Sequence, residues 1–128
     1  MGSSPALPMS SSTAWADEKG ANVIETKVYV GLNDADTKEQ KFEIERYLTV
    51  LRRVCLEYGV PFSLDLQEGG YLHEDGTYTQ EQTIVLTFFD VEPETIEEIA
   101  KDLCVFFHQE SVLVTKGVVE TFTIKESI

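Results

Sequence analysis

The chain has 128 residues, which is enough for one domain of about 100–150 residues with a buried core. Hydrophobic residues make up 42% of the chain and aromatic residues 10%, so global disorder is excluded. Ten basic and 23 acidic side chains give a net charge of −13 at pH 7. A charge of this sign disfavours contact with nucleic-acid phosphates and with anionic membranes. We therefore predict no direct nucleic-acid binding and no membrane association.

The two cysteines are Cys55 and Cys104, which lie far apart between apolar neighbours. This spacing indicates neither a disulfide framework nor a Cys-x-x-Cys metal site. No window approaches the roughly 20 apolar residues of a membrane span, and the N-terminus lacks the pattern of a secretory signal. The sequence thus predicts a cytoplasmic protein, and no motif indicates a metal or a cofactor.

Residues 1–21 are rich in Ser, Ala and Pro and show no apolar periodicity. This composition predicts a disordered tail. Met9 is a candidate native start, which would make residues 1–8 an expression remnant. We expect residues 22–128 to form a single domain.

The first predicted strand covers residues 23–32, where Val28, Val30 and Leu32 alternate with polar neighbours. A long helix follows, which Gly59 ends and Pro61 keeps from resuming. Its apolar stripe has spacings of three and four and consists of Ile44, Leu48, Leu51, Cys55 and Tyr58.

The polar turn at residues 33–36 lies just before this helix. Asp36 with Glu39, or Thr37 with Gln40, could form the reciprocal capping box of a helix start. A calcium loop is the alternative, but Lys38 stands at a ligand position and the turn glycine is missing. We therefore favour helix capping over metal binding.

Residues 62–67 alternate as a second strand, and Asp75-Gly76 predicts a hairpin turn into a third strand over residues 78–89. Pro93 opens a second helix, which is followed by a last strand pair or bent strand. The order β-α-β-β-α-β predicts an α+β, ferredoxin-like sandwich with two helices on one face of a four-stranded antiparallel sheet. The predicted core includes Val30, Leu48, Leu51, Leu64, Leu86, Ile99 and Leu103.

The face of the sheet away from the helices would carry Tyr29 and Val85. It lacks the stacking aromatic and basic residues of an RNA-recognition module. It is an ordinary solvated face or a surface for self-association through which a homodimer would form. Tyr29 and Val85 are also candidate partner-binding residues, in case the acidic residues do not bind the partner.

Acidic side chains cluster in the hairpin and on the second helix. We predict that six of them bind a protein with a basic surface, at Glu74, Asp75, Glu81, Glu94, Glu97 and Glu98. Carboxylates can imitate the spacing of phosphates for a nucleic-acid-binding protein. The alternative is that this charge only keeps the protein soluble.

Catalytic motifs are not legible, so we predict a binding protein rather than an enzyme. The competing interpretation is an oligomeric small-molecule-binding protein or a small enzyme. It would use a pocket near Gly69-Gly70 and His73, with a neighbouring carboxylate. His108 lies at the predicted end of the second helix, where a cation is favourable and needs no other role.

Three stretches support a resemblance: KVYVGLNDADTKEQ, GGYLHEDGTYTQEQTIVLTF and FFHQESVLV. Together they resemble small ferredoxin-like proteins of unknown function from bacteria and from phages or prophages of Gram-positive bacteria. Proteins of this kind include anti-CRISPR inhibitors. The resemblance implies a phage or prophage inhibitor, in a bacterial host cell, that blocks the basic surface of a CRISPR or other defence nuclease. It carries no functional residues.

Overall fold

The computed structural model describes residues 20–126, except for the side chain of Tyr71. The elements are β1 (Ala21–Gly31), α1 (Ile44–Tyr58), β2 (Ser63–Leu72), β3 (Tyr78–Phe89), α2 (Pro93–Phe106) and β4 (Leu113–Thr121). The four strands form one sheet in the order β2-β3-β1-β4. This order and the two helices confirm the predicted α+β, ferredoxin-like fold. The predicted tail, except for its last two residues, lies outside the described residues.

The described residues divide into two compact units, formed by residues 20–24 with 118–126 and by residues 25–117. In the first unit, the Thr121 hydroxyl donates a hydrogen bond to the Ala21 carbonyl at 3.2 Å. The second unit contains both helices, β2, β3 and most of β1. The prediction of a single domain over residues 22–128 stays a prediction.

The core of the second unit forms because alternate residues of the two central strands point to the same side of the sheet. β1 and β3 pair antiparallel, with Val28 opposite Leu86 and Val30 opposite Ile84. These side chains are fully buried against both helices. Of the predicted core residues, five are fully buried, while Leu48 and Leu64 lie partly buried at its edge.

The start of α1 differs from the prediction. The helix begins at Ile44, after Glu43, and no side chain caps it. Both predicted capping boxes are therefore wrong, because their residues lie in the loop between β1 and α1. This loop is held instead by the Tyr47 hydroxyl, which accepts hydrogen bonds from the backbone N–H groups of Lys41 and Phe42, each at 3.2 Å.

The other predicted helix boundaries are confirmed. Gly59 has the left-handed backbone (φ 67°) that ends α1, a conformation that glycine adopts without a steric cost. Pro93 lies in the first turn of α2.

The last strand is one continuous strand through Gly117 rather than a pair.

Val85 is an exception to the prediction of an open sheet face, because it is buried with 2% exposure. It lies on the interior strand β3 between Tyr29 of β1 and Asp65 of β2. Directly paired neighbours on both sides shield a short side chain at such a position. Tyr29 is half-buried, so a homodimer through this face stays a prediction.

None of the described helices is both long enough and apolar enough to cross a membrane.

Candidate functional site: an acidic cleft beside the β1–α1 loop

A polar cleft of about 400 Å³ lies within the second unit, where the β1–α1 loop, the β2–β3 hairpin and the segment after α2 meet. Its volume is in the range of small-molecule sites, about 300–1,000 Å³. The lining residues are Asn33, Asp34, Ala35, Lys38, His73, Thr79, Glu81, Gln109, Glu110 and Ser111. Three of these side chains are carboxylates and one is a lysine, so the lining is acidic.

Asp34 organises the loop that forms one wall of the cleft. Its side chain is 6% exposed, and its Oδ2 accepts hydrogen bonds from the backbone N–H groups of Asp36 and Thr37 at 3.0 and 3.2 Å. Burial by itself raises the pKa of this carboxyl. The bonds from Thr37 and Asp36 and the nearby His108 outweigh burial and lower the pKa from 3.8 to about 2. Asp34 is therefore an ionised anchor of the loop.

His108 connects the end of α2 to this loop. Its Nδ1 lies 2.9 Å from Asp34 Oδ1 and its Nε2 lies 3.5 Å from Asp36 Oδ2. Its backbone is left-handed (φ 51°), which costs a residue with a Cβ atom about 1–2 kcal/mol. We expected the helix end alone to account for this histidine. The contacts with two loop carboxylates give it a second, structural role.

Glu81 forms the opposite wall, and its position depends on a glycine. Its carboxylate lies directly over Gly31, where a Cβ atom would come within 2.5 Å of Oε2. The same Oε2 accepts the backbone N–H of Asn33 at 2.9 Å. Glu81 is half-buried and has no cationic partner within the described chain. It is therefore a fixed negative charge that faces the cleft.

Gln109 and His73 complete the lining. The Gln109 side-chain amide donates to the Asn33 carbonyl at 2.6 Å and so ties the segment after α2 to the loop. The His73 Nε2 lies 2.6 Å from the Thr79 hydroxyl across the hairpin. The Gln109–Asn33 bond, together with the bond from the Asn33 N–H to Glu81, joins all three parts of the cleft wall.

The sequence located part of this site. The predicted pocket of the small-molecule interpretation included His73 and a carboxylate, and His73, Glu81 and Asp34 do line one cleft. The two glycines are not part of it. The Tyr78 ring lies over Gly70, and the space beside Gly69 is open.

The acidic residues predicted to bind a partner lie in different surroundings. Glu74 and Asp75 are exposed at the hairpin turn, where Asp75 accepts both the backbone N–H and the hydroxyl of Thr77. These bonds lower the pKa of Asp75. The three predicted residues on α2, Glu94, Glu97 and Glu98, are exposed, and Glu97 lies 3.6 Å from Lys101.

Asp34, Asp36 and His108 each offer one possible metal-ligand atom, and these atoms lie within 4.8 Å of one another. The Lys41 ammonium lies 3.4 Å from Asp34 Oδ1, the atom that also contacts His108. A cation of the protein therefore already neutralises this carboxylate.

The expected helix cap at residues 33–36 is instead a turn closed by Asp34.

Comparisons with known proteins show the fold but no family. No protein-family model matches the chain, and no curated protein matches it. Among solved structures, a phage SAM lyase in its apo state is similar with a TM-score of 0.58 and 20% identity, over 83% of this chain and 94% of that one. The same lyase in complex with S-methyl-5'-thioadenosine has a TM-score of 0.56 and 20% identity, over 79% and 90% of the two chains.

A further similar structure is the complex of Bacillus subtilis GlnK with ATP. It has a TM-score of 0.52 and 9% identity, over 77% of this chain and 82% of that chain. These similarities confirm the small ferredoxin-like fold and include phage proteins, as the resemblance predicted. They contain no sign of an anti-CRISPR protein.

The prediction that the protein is not an enzyme is contradicted by this comparison. An enzyme, the phage SAM lyase, has the same fold over most of its length. Neither the fold nor the lack of a familiar motif therefore gives a reason to exclude catalysis.

Sequence reasoning missed Asn33, Gln109 and the contact between Gly31 and Glu81. Asn33 and Gln109 are separated by 76 positions in the chain, and no local pattern joins them. Gly31 was a detectable signal, since glycine inside a strand often marks a close approach.

Proposed function

We propose that this protein binds an S-adenosylmethionine-type ligand in the acidic cleft and cleaves it. The observation that carries the proposal is the charge of the lining. Asp34, Glu81 and Glu110 face the cleft with Lys38 as the single side-chain ammonium in its described lining. A cleft in which one sign of charge predominates concentrates ligands of the opposite sign. A sulfonium compound with an amino group fits this lining.

The charge also discriminates between the ligands bound in two of the similar structures. GlnK was solved with ATP, whose phosphates are strongly anionic, and the lyase with S-methyl-5'-thioadenosine, which is neutral. A half-buried carboxylate such as Glu81 repels a triphosphate and attracts a sulfonium. The lining therefore supports a sulfonium ligand over a triphosphate. The fold similarity supports the proposal but does not extend to residues.

The proposed reaction breaks the bond between the sulfonium sulfur and the four-carbon amino-acid chain. The ligand's own carboxylate oxygen forms a bond to the carbon that leaves sulfur, and the electron pair of the broken bond goes to sulfur. The products are S-methyl-5'-thioadenosine and homoserine lactone, so atoms and charge balance without water. No proton moves, so the protein contributes position and electrostatics, which can replace a large part of a barrier. A reaction of this kind does not require the catalytic motif that the sequence lacks.

The test is to incubate the purified protein with S-adenosylmethionine and to measure both products by mass spectrometry. We expect S-methyl-5'-thioadenosine to form faster with the protein than in buffer without it. Ser111→Trp, which fills the cleft, should abolish the activity. The matched control, Thr49→Trp on the exposed surface of α1, should retain it.

His73→Ala separates two mechanisms. Internal displacement transfers no proton, so this variant should keep most of the activity. Loss of activity with an intact fold would instead indicate that His73 is a general base. No product above the buffer rate from the wild-type protein would overturn the proposed function.

We propose separately that the acidic surface binds a basic protein, as a phage inhibitor of a host nuclease would. The support is the exposure of Glu94, Glu97 and Glu98 on one helix and the net charge of −13. This surface does not include the cleft, so the two proposals are independent.

A further inference from the structure

We infer that Glu81 is the residue that selects a cationic over a neutral ligand in the cleft, and that Gly31 is the positioning residue that makes this possible. The inference rests on the proposed function and deepens it. It assigns the recognition of positive charge to one carboxylate among the three that line the cleft.

Glu81 differs from the other two carboxylates in how its negative charge is compensated. Asp34 contacts the Lys41 ammonium and the His108 ring, so its charge is compensated by the protein. Glu110 is exposed, and water solvates it. Glu81 is half-buried and receives one neutral N–H at Oε2. Its Oε1 has no donor within the described chain.

A half-buried carboxylate has lost part of its hydration, and no cation of the described chain takes the place of that water. Its orientation is nevertheless fixed. The Asn33 N–H holds Oε2 at 2.9 Å, and the missing side chain of Gly31 leaves the space in which the carboxylate lies. A fixed, uncompensated negative charge in a cleft is the arrangement that recognises a cation.

The backbone conformation of the strand does not itself require a glycine at position 31. It is not among the described glycines with positive φ, so an alanine there strains no backbone dihedral. The three heavy atoms nearest to an added Cβ all belong to the end of the flexible Glu81 side chain. Gly31→Ala should therefore keep the sheet and displace the carboxylate.

The experiment compares two ligands that are not cleaved. S-adenosylhomocysteine has a neutral sulfur, and sinefungin carries an ammonium group near the place of the sulfonium. Their dissociation constants are measured by calorimetry for the wild type, Glu81→Gln, Gly31→Ala and Gly69→Ala. Gly69 is the matched control, because it lies opposite Glu81 on β2 and an added Cβ there meets nothing within 4 Å.

We expect the wild type and Gly69→Ala to prefer sinefungin by about tenfold, a typical scale for one partly desolvated charge contact. Glu81→Gln and Gly31→Ala should lose most of this preference while they bind S-adenosylhomocysteine nearly as well as the wild type. Equal preference in all four proteins would overturn the role of Glu81 and leave the proposed function standing. Failure of the wild type to bind either ligand would overturn both.

Discussion

Asp34 shows how one side chain can organise a loop of the site. Two backbone N–H groups, a histidine and a lysine converge on its carboxylate. Such convergence stabilises the ionised form in the folded protein relative to the unfolded chain. The stability of the loop is therefore linked to the protonation of this carboxyl.

This linkage predicts a pH dependence. The pKa of Asp34 is about 2 in the folded protein and 3.8 in the absence of its partners, so the stabilising contribution is complete above about pH 4 and is lost as the pH falls towards 2. Urea unfolding measured between pH 2 and pH 5 should show this decline. Asp34→Asn should be less stable than the wild type at pH 7 and should show a flatter profile below pH 4. Parallel profiles for the two proteins would contradict the assignment.

Two tyrosine side chains of α1 hold neighbouring elements in place, whereas no side chain caps the start of either helix. Tyr47 on the first turn of α1 packs edge-on against Phe107, with ring centroids 5.1 Å apart. Its hydroxyl accepts the two N–H groups of the preceding loop. Tyr58 at the other end of α1 donates to Asp102 of α2 at 2.7 Å. This bond, together with burial and nearby acids, raises the pKa of Tyr58 to about 12.

Tyr47→Phe isolates the hydroxyl of the first contact. The ring still packs, but the backbone donors of Lys41 and Phe42 lose their acceptor, so the free energy of unfolding should fall by about 1 kcal/mol. Chemical denaturation measures this change. Amide exchange should also accelerate at Lys41 and Phe42 and remain unchanged in β3. Unchanged exchange at those two amides would show that the hydroxyl does not hold the loop.

At the scale of the whole molecule, the acidic residues of the described chain lie in two different kinds of surroundings. The cleft uses a few carboxylates at fixed positions, and α2 presents exposed carboxylates to solvent. Exposed charges steer association with a basic partner, and salt weakens this effect because the screening length is about 8 Å at physiological ionic strength.

Charge reversal tests the second surface. If the protein inhibits a defence nuclease through α2, the triple variant Glu94→Lys, Glu97→Lys, Glu98→Lys should raise the half-inhibitory concentration by more than about tenfold in a cleavage assay with purified CRISPR nucleases. Reversal of Glu74 and Asp75 at the hairpin turn is the matched variant. Equal inhibition by the wild type and both variants would exclude the acidic surface as the inhibitory one.

The sequence by itself determined the fold, because the fold depends on local and periodic features. Alternation of apolar residues defined β1 and β3, and Gly59 and Pro93 marked helix ends. These signals are strong because a slip of one residue would expose the apolar face of a strand. The start of α1 was mispredicted because a residue further along the chain, Tyr47, satisfies the loop donors that a capping box usually satisfies.

The site was decided by the tertiary structure. Asp34 meets His108 across 74 positions, and Asn33 meets Glu81 across 48. Pairing of this kind depends on which loops the sheet order brings to one end, and no spacing in the sequence encodes it. The same holds for burial, since the sequence showed Glu81 only as one of 23 acidic residues. The fold placed it over Gly31, half-buried and with no cation from the described residues beside it, and these surroundings distinguish it from the exposed carboxylates.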